Sequence, residues 1–187
     1  MLLPSIRNAR SLPQTILTDA DLQRMQREDA PMFLLRLCKG AKVPAPVRRY
    51  LESAAGKEAR TGYKCRMRTP WHVVPDVKIP DYFLAYMSGR SVTLVRNAAG
   101  ATCTNSLHAL TLHNQDDAPA LAAAHASAFF QLSCEIEGHP LGGGMLKLEP
   151  REAARIAIPT AERLAALDRD EIGAAVSNLQ RWRHYAD

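Results

Sequence analysis

Apolar positions in the first third of the chain recur at helical spacing, and the spacing turns strand-like near Tyr63. In "TDADLQRMQRED" Thr18 stands where an N-cap would, Asp21 follows three residues later as a carboxylate capping box, and Leu22 and Met25 share a face, which predicts a short helix. "PAPVRRYLESAAG" keeps Val47, Tyr50 and Leu51 in helical register and predicts a helix ending at Gly56 in a left-handed cap. "YKCRMR" then alternates, with Lys64, Arg66 and Arg68 on one face and Tyr63, Cys65 and Met67 on the other. That is the period of a strand, and a face with three cations cannot be core. "SVTLVRN" and "SLHALTLHN" predict further strands. "DDAPALAAAHASAFFQLSCEIEG" predicts the longest helix, capped by Asp116 or Asp117, with Leu121, Ala124, Ala128 and Leu132 at helical spacing and Gly138 at its end.

Beyond it, "HPLGGG" predicts a loop, "MLKL" a short strand and "EPREAARIAIP" one helical turn closing at Pro159. The tail from Ala161 to Tyr185 predicts two helices, packed as a hairpin or running on as an extension. The sum is an α+β fold: mixed or antiparallel sheets with packed helices and a C-terminal helical extension, divided as 1–160 and 161–187.

With 187 residues, 47% hydrophobic and 23% charged, the composition is that of a folded chain. No apolar run reaches the roughly 18 residues of a membrane span, and "MLLPSIRNARSLP" is broken by Pro4 and Arg7, unlike a signal peptide, so a cytoplasmic location without membrane contact is expected. Cys38, Cys65, Cys103 and Cys134 fit neither a zinc knuckle nor a disulfide framework and are expected reduced and at least partly buried. The net charge of +5 is uneven. Residues 1–70 hold 14 Lys and Arg against 6 Asp and Glu, a net +8, while residues 71–187 hold 10 against 13, a net −3. The basic half is either a solvated face or a surface for a polyanion.

Catalytic patterns are missing. Gly142, Gly143 and Gly144 run into Met145 and Leu146, so no phosphate-binding loop is formed, although backbone free of side chains lets another group approach; a flexible turn is the competing reading. No HExxH or GxSxG motif occurs, and His108 and His113 lie five apart, so neither a metal site nor nucleophilic catalysis is expected. Residues suited to DNA are present. Lys64, Arg66 and Arg68 can meet phosphates or guanine edges, Asn97, Thr104 and Asn105 can bond bases, and Trp71 and His72 can pack on a sugar or base. For Trp71 a core position, and for Asn97 and Asn105 a turn, remain open.

The blocks "YKCRMRTPWHVVP", "FLAYMSGRSVTLVRNAAGATCTNSLHAL" and "LSCEIEGHPLGGGMLKLEPREAARIAIP", in that order, resemble the C-terminal part of N6-adenine DNA methyltransferases of the TaqI-like and fused restriction-modification kind. The likeness covers roughly residues 5 to 160, and "RNARSLPQTILTDADLQRM" is similar to the entry segment. It implies a target recognition domain that reads double-stranded DNA while an N-terminal or separate methyltransferase domain holds S-adenosylmethionine and methylates a flipped adenine. The residues that match are Arg68, Pro70 and Trp71, then Thr104 and Asn105, then Gly142 to Gly144 with Lys147 and Glu149. Leu146, Leu148 and Pro150 suit a structural part. The family's NPP motif with Tyr or Phe is absent, since none of the 12 prolines adjoins another, and no glycine motif for the methyl donor is visible. The sequence therefore resembles a recognition half without its catalytic half, as a fragment, a split gene or a remnant.

Two other functions stay open. A platform like a type I specificity subunit would recruit a separate methylase through the helices of Ala161 to Tyr185, although only one recognition copy is present. An unrelated basic α+β protein with an RNA or protein partner is disfavoured by an aromatic content of 6%.

Overall fold

The computed structural model describes residues 1–184. Its strands are β1 (Leu2–Ile6), β2 (Ile16–Leu17), β3 (Phe33–Leu35), β4 (Tyr82–Ala85), β5 (Met87–Ser88), β6 (Leu94–Asn97), β7 (Thr102–Cys103), β8 (Leu107–Leu110), β9 (His139–Pro140) and β10 (Leu146–Lys147). Its helices are α1 (Asp19–Arg27), α2 (Ala45–Glu52), α3 (Ala54–Thr61), α4 (Tyr63–Arg66), α5 (Ala118–His125), α6 (Ala128–Glu137), α7 (Pro150–Ala153), α8 (Ala161–Ala165) and α9 (Arg169–His184). The fold is α+β with mixed and antiparallel sheets. Two units form: Met1–Pro4 with Phe33–Lys78, and Ser5–Met32 with the chain from Ile79 onward.

In the larger unit the four-stranded sheet runs β2-β6-β4-β8, with β2 parallel to β6 and β4 antiparallel to both neighbours. All four residues of β4 are buried, because the sheet has a core on each face. Phe83 and Val95 point into one core with Ile6, Leu17, Leu22 and Met25. Tyr82, Leu84 and Leu94 point into the other with Leu121, Phe130, Cys134 and Leu146. Thus α1 covers one face and α5 with α6 the other, and the period-two alternation of β4 and β6 serves both. The antiparallel set β5-β10-β9 carries Leu146 into the second core.

The predicted capping box of α1 is present. The Thr18 N–H donates to Asp21 Oδ2 at 3.0 Å, and the Thr18 hydroxyl accepts from the Asp21 N–H at 3.4 Å. The Thr18 hydroxyl also donates to Asp21 Oδ2 at 2.7 Å, and this bond, then that from the Thr18 N–H, holds the Asp21 carboxyl below its usual range, with Arg24 adding to the effect. Thr18→Ala is expected to cost about 1 kcal/mol in urea unfolding. A depressed folded pKa stabilises above the ordinary carboxylate range, so the difference from wild type should narrow as acid protonates Asp21.

Two predicted helices are cut differently. The chain does not stop at Gly56: Ser53 ends α2 by donating its hydroxyl to Tyr50 O at 2.6 Å and starts α3 by accepting from the Gly56 N–H at 3.3 Å. Gly56 is buried inside α3, its missing side chain allowing α3 to sit against Tyr50 and Leu51 backbone. The long alanine-rich helix is broken at Ala126 and Ser127, where Ser127 bonds Ala124 O at 2.6 Å and caps α6. Gly138 ends α6 as expected. In the tail α8 packs on α5 and α9 on α6; Tyr185, the expected end of the tail helices, lies outside the described residues.

All four cysteines are free. Cys38 is exposed, contrary to the expectation of burial, because it lies in a loop after β3. Burial pushes the thiol of Cys103 up to about 11 and that of Cys134 up to about 12, so both stay protonated.

Candidate nucleic-acid interface

The smaller unit concentrates the positive charge of the chain. Its 50 residues hold 11 Lys and Arg against 3 Asp and Glu, a net +8, while the rest of the chain holds 13 against 16, a net −3. Of those cations only Arg68 is half-buried and the others are exposed. Arg49, Lys57, Arg60, Lys64, Arg66 and Arg68 form no ion pair among the described residues, whereas the pairs of Arg24, Lys147, Arg155 and Arg183 all lie in the larger unit.

The strand expected over Tyr63–Arg68 is a helical turn instead. Arg66 N–H donates to Gly62 O at 3.0 Å and Met67 N–H to Tyr63 O at 3.2 Å. No partner strand offers this segment a ladder, and Lys, Arg and Met are good helix formers, so local bonding wins. The expected apolar face does not exist, since Tyr63 and Met67 are 70% and 71% exposed. The change also regroups the cations, because Lys64 and Arg66, two apart within α4, do not share a face on a helix, while Arg68 lies beyond its end. Arg66 and Arg68 join Arg60, from the last turn of α3, around a cavity of about 380 Å³ lined also by Cys65, Thr69, Pro70 and Trp71. Lys64 is exposed and is not part of this lining. Trp71 and His72 are half-buried and meet edge to face, with centroids 5.7 Å apart and planes at 85°. Arg60 escapes the sequence pattern because Gly56 reads as a stop; a helix continued through Gly56 delivers it.

The remaining candidates belong to the larger unit. Asn97 is a bracket within a loop: its amide donates to Pro80 O at 2.7 Å and Ala101 O at 2.8 Å, and accepts from Ala101 N–H at 3.1 Å. With both ends of the amide engaged, it has little left for a base. Thr104 donates to Arg7 O at 2.6 Å and accepts from Ser106 N–H at 3.4 Å. Asn105, beside it, is exposed, and its side chain makes no hydrogen bond to the described residues.

Gly142, Gly143 and Gly144 make a 3-10 turn in which Gly143 and Gly144 each adopt a φ of +75°, a conformation that favours glycine. Gly142 and Gly143 are exposed, but Gly144 is buried and its carbonyl accepts from the Arg183 guanidinium. The side chains of Arg183 and Glu135 are each 3% exposed and form a bidentate pair at 2.8 and 2.9 Å, and Arg183 also donates to Arg90 O at 3.1 Å. One guanidinium thus fastens α9 to α6, the glycine turn and the loop before β6. This turn opens no helix, and Arg183 engages its Gly144 carbonyl.

Lys147 bonds Glu149 at 2.5 Å and lies 5.5 Å from the centroid of Tyr86. Its pairing with Glu149, and then with Tyr86, raises the lysine pKa, and the same partners lower that of Glu149. His125 accepts from Leu94 N–H at 3.2 Å, and burial lowers its pKa, so it is a neutral packed residue. Among the described residues no three His, Cys, Asp or Glu are placed to hold a metal ion, and no helix is long and apolar enough to cross a membrane.

The smaller unit is thus rich in exposed cations, and the larger is an α+β unit with two cores. Residues 1–186 match the family described as the C-terminal domain of the type II methyltransferase M.Eco57I, and the chain belongs to that family. No curated protein matches the chain.

Proposed function

We propose that this chain is the DNA target recognition domain of a site-specific adenine methyltransferase or fused restriction-modification enzyme. The observation that carries this reading is the net +8 of the smaller unit, borne by exposed cations, in a member of a type II methyltransferase C-terminal family. Such a surface neutralises phosphates and releases counterions, which gives affinity without sequence preference. Sequence preference then rests on a few side chains that reach base edges. Asn105 is the best placed of the candidates, because Asn97 and Thr104 are already engaged in holding loops. S-adenosylmethionine and the adenine pocket are assigned to a methyltransferase partner, either fused or separate.

The test is selection of the purified chain on a randomised duplex pool at two salt concentrations, followed by sequencing of the retained DNA. Enrichment of a short motif supports the reading; absence of retention even at low salt contradicts it. Asn105→Ala is expected to lose about 1 to 3 kcal/mol of discrimination at one base pair. Equal weakening on every sequence would remove Asn105 from base reading.

A further inference from the structure

The cavity bounded by Arg60, Arg66, Arg68 and Trp71 has three arginines and no Asp or Glu in its lining. These groups come from two short helices and the turn that follows, and neighbouring like charges are unfavourable unless an anion sits among them. At about 380 Å³ the cavity is larger than a bare ion requires. Trp71 also lines it, beside Cys65, Thr69 and Pro70. Arginine forks match phosphate oxygens, and an indole face gives a sugar ring a flat apolar surface. We propose that this cavity is a socket for a single backbone phosphate together with its deoxyribose, the phosphate bonded by Arg60, Arg66 and Arg68 and the sugar packed on Trp71. The proposal rests on the DNA-binding reading given above. It adds that the three arginines serve one phosphate, and do not each meet a phosphate of their own.

That distinction is measurable, because counterion release counts phosphates rather than arginines. The slope of log affinity against log salt falls by about 0.9 for each duplex phosphate that the protein no longer neutralises. The triple variant Arg60→Gln/Arg66→Gln/Arg68→Gln is therefore expected to lower the slope by about 0.9, and three separately bound phosphates would lower it by about 2.7. Slopes are read by anisotropy of a labelled duplex with the full chain, with far-UV circular dichroism showing that each variant is folded. In parallel, Trp182→Phe leaves Trp71 as the sole tryptophan, since the chain has two, and its emission is followed during titration with duplex, with inorganic pyrophosphate and with a glutamate-rich peptide.

The expected result is a Trp71 response to duplex at the same midpoint as the anisotropy, abolished by the triple change, together with a slope lower by about 0.9. If duplex binds but Trp71 is silent, or if the slope is unchanged or falls by about 2.7, the socket is overturned while the DNA-binding reading stands. A response to pyrophosphate that needs the arginines, with no duplex binding, overturns the DNA reading and leaves a phosphate site. A response to the acidic peptide alone, or to none of the probes, overturns the socket.

Discussion

Arg183→Met is expected to destabilise the larger unit by about 3 to 5 kcal/mol, read as a fall in the urea midpoint followed by circular dichroism. Glu135, with its side chain 3% exposed, would be left as a buried carboxylate without its counter-charge. Removing one partner of such a pair costs far more than the pair itself contributes, because both charges had already been taken out of water. The double variant Arg183→Met/Glu135→Leu should therefore recover much of the loss. What it does not recover belongs to the carbonyl of Gly144, which lacks its Arg183 donor in both variants, whereas Arg90 O keeps the Gln180 amide at 2.7 Å. Equal losses in the single and double variants would mean that the carbonyl bonds, and not the ion pair, hold α9 in place. A loss below about 1 kcal/mol would remove Arg183 as the fastening of this unit.

Gly56→Ala should act on the smaller unit with a comparable effect. A Cβ at residue 56 would sit 2.3 Å from Leu51 O and 2.6 Å from both Leu51 C and Tyr50 O. These are backbone atoms, so no side chain can swing aside, and α2 and α3 must separate. The expected cost is about 3 kcal/mol, the upper end of the usual range for forcing extra volume into a packed site. Trypsin should then cut at Lys57 and Arg60 in the variant at concentrations that leave the wild type intact, and retention on duplex DNA should fall with it. A variant as resistant as the wild type would mean that the backbone at Ser53 adjusts without loss.

The sequence is most legible where one element satisfies a single strong pattern. The strand expected in "SVTLVRN" forms because Leu94 and Val95 of β6 face opposite cores, and the Thr18 capping box forms because its bonds are local. The pattern fails at Tyr63–Arg68, where six residues of alternating charge fit a strand but no neighbouring strand supplies hydrogen bonds. Apolar spacing also fails to show the break at Ser127, since a serine cap can interrupt a helix without disturbing the buried face. For the candidate site, residue type is legible and occupancy is not. Asn97 has the chemistry of an adenine reader, yet three backbone groups already use it. Arg60 stands eight positions before Arg68 with no periodic link, and only the succession of α3 and α4 brings both to one cavity.

The Arg183 fastening also sets a clock on synthesis. Glu135 is made 48 residues before its partner, and Arg90 93 residues before. At ribosomal speeds of about 5–20 residues per second, the carboxylate waits roughly 2 to 10 s for its guanidinium. During that interval the carboxylate is better kept in water, so α6 is expected to take up its final burial at the Glu135 end only after Arg183 has been made. The larger unit therefore closes late, from its C-terminal side, however early its sheet is assembled.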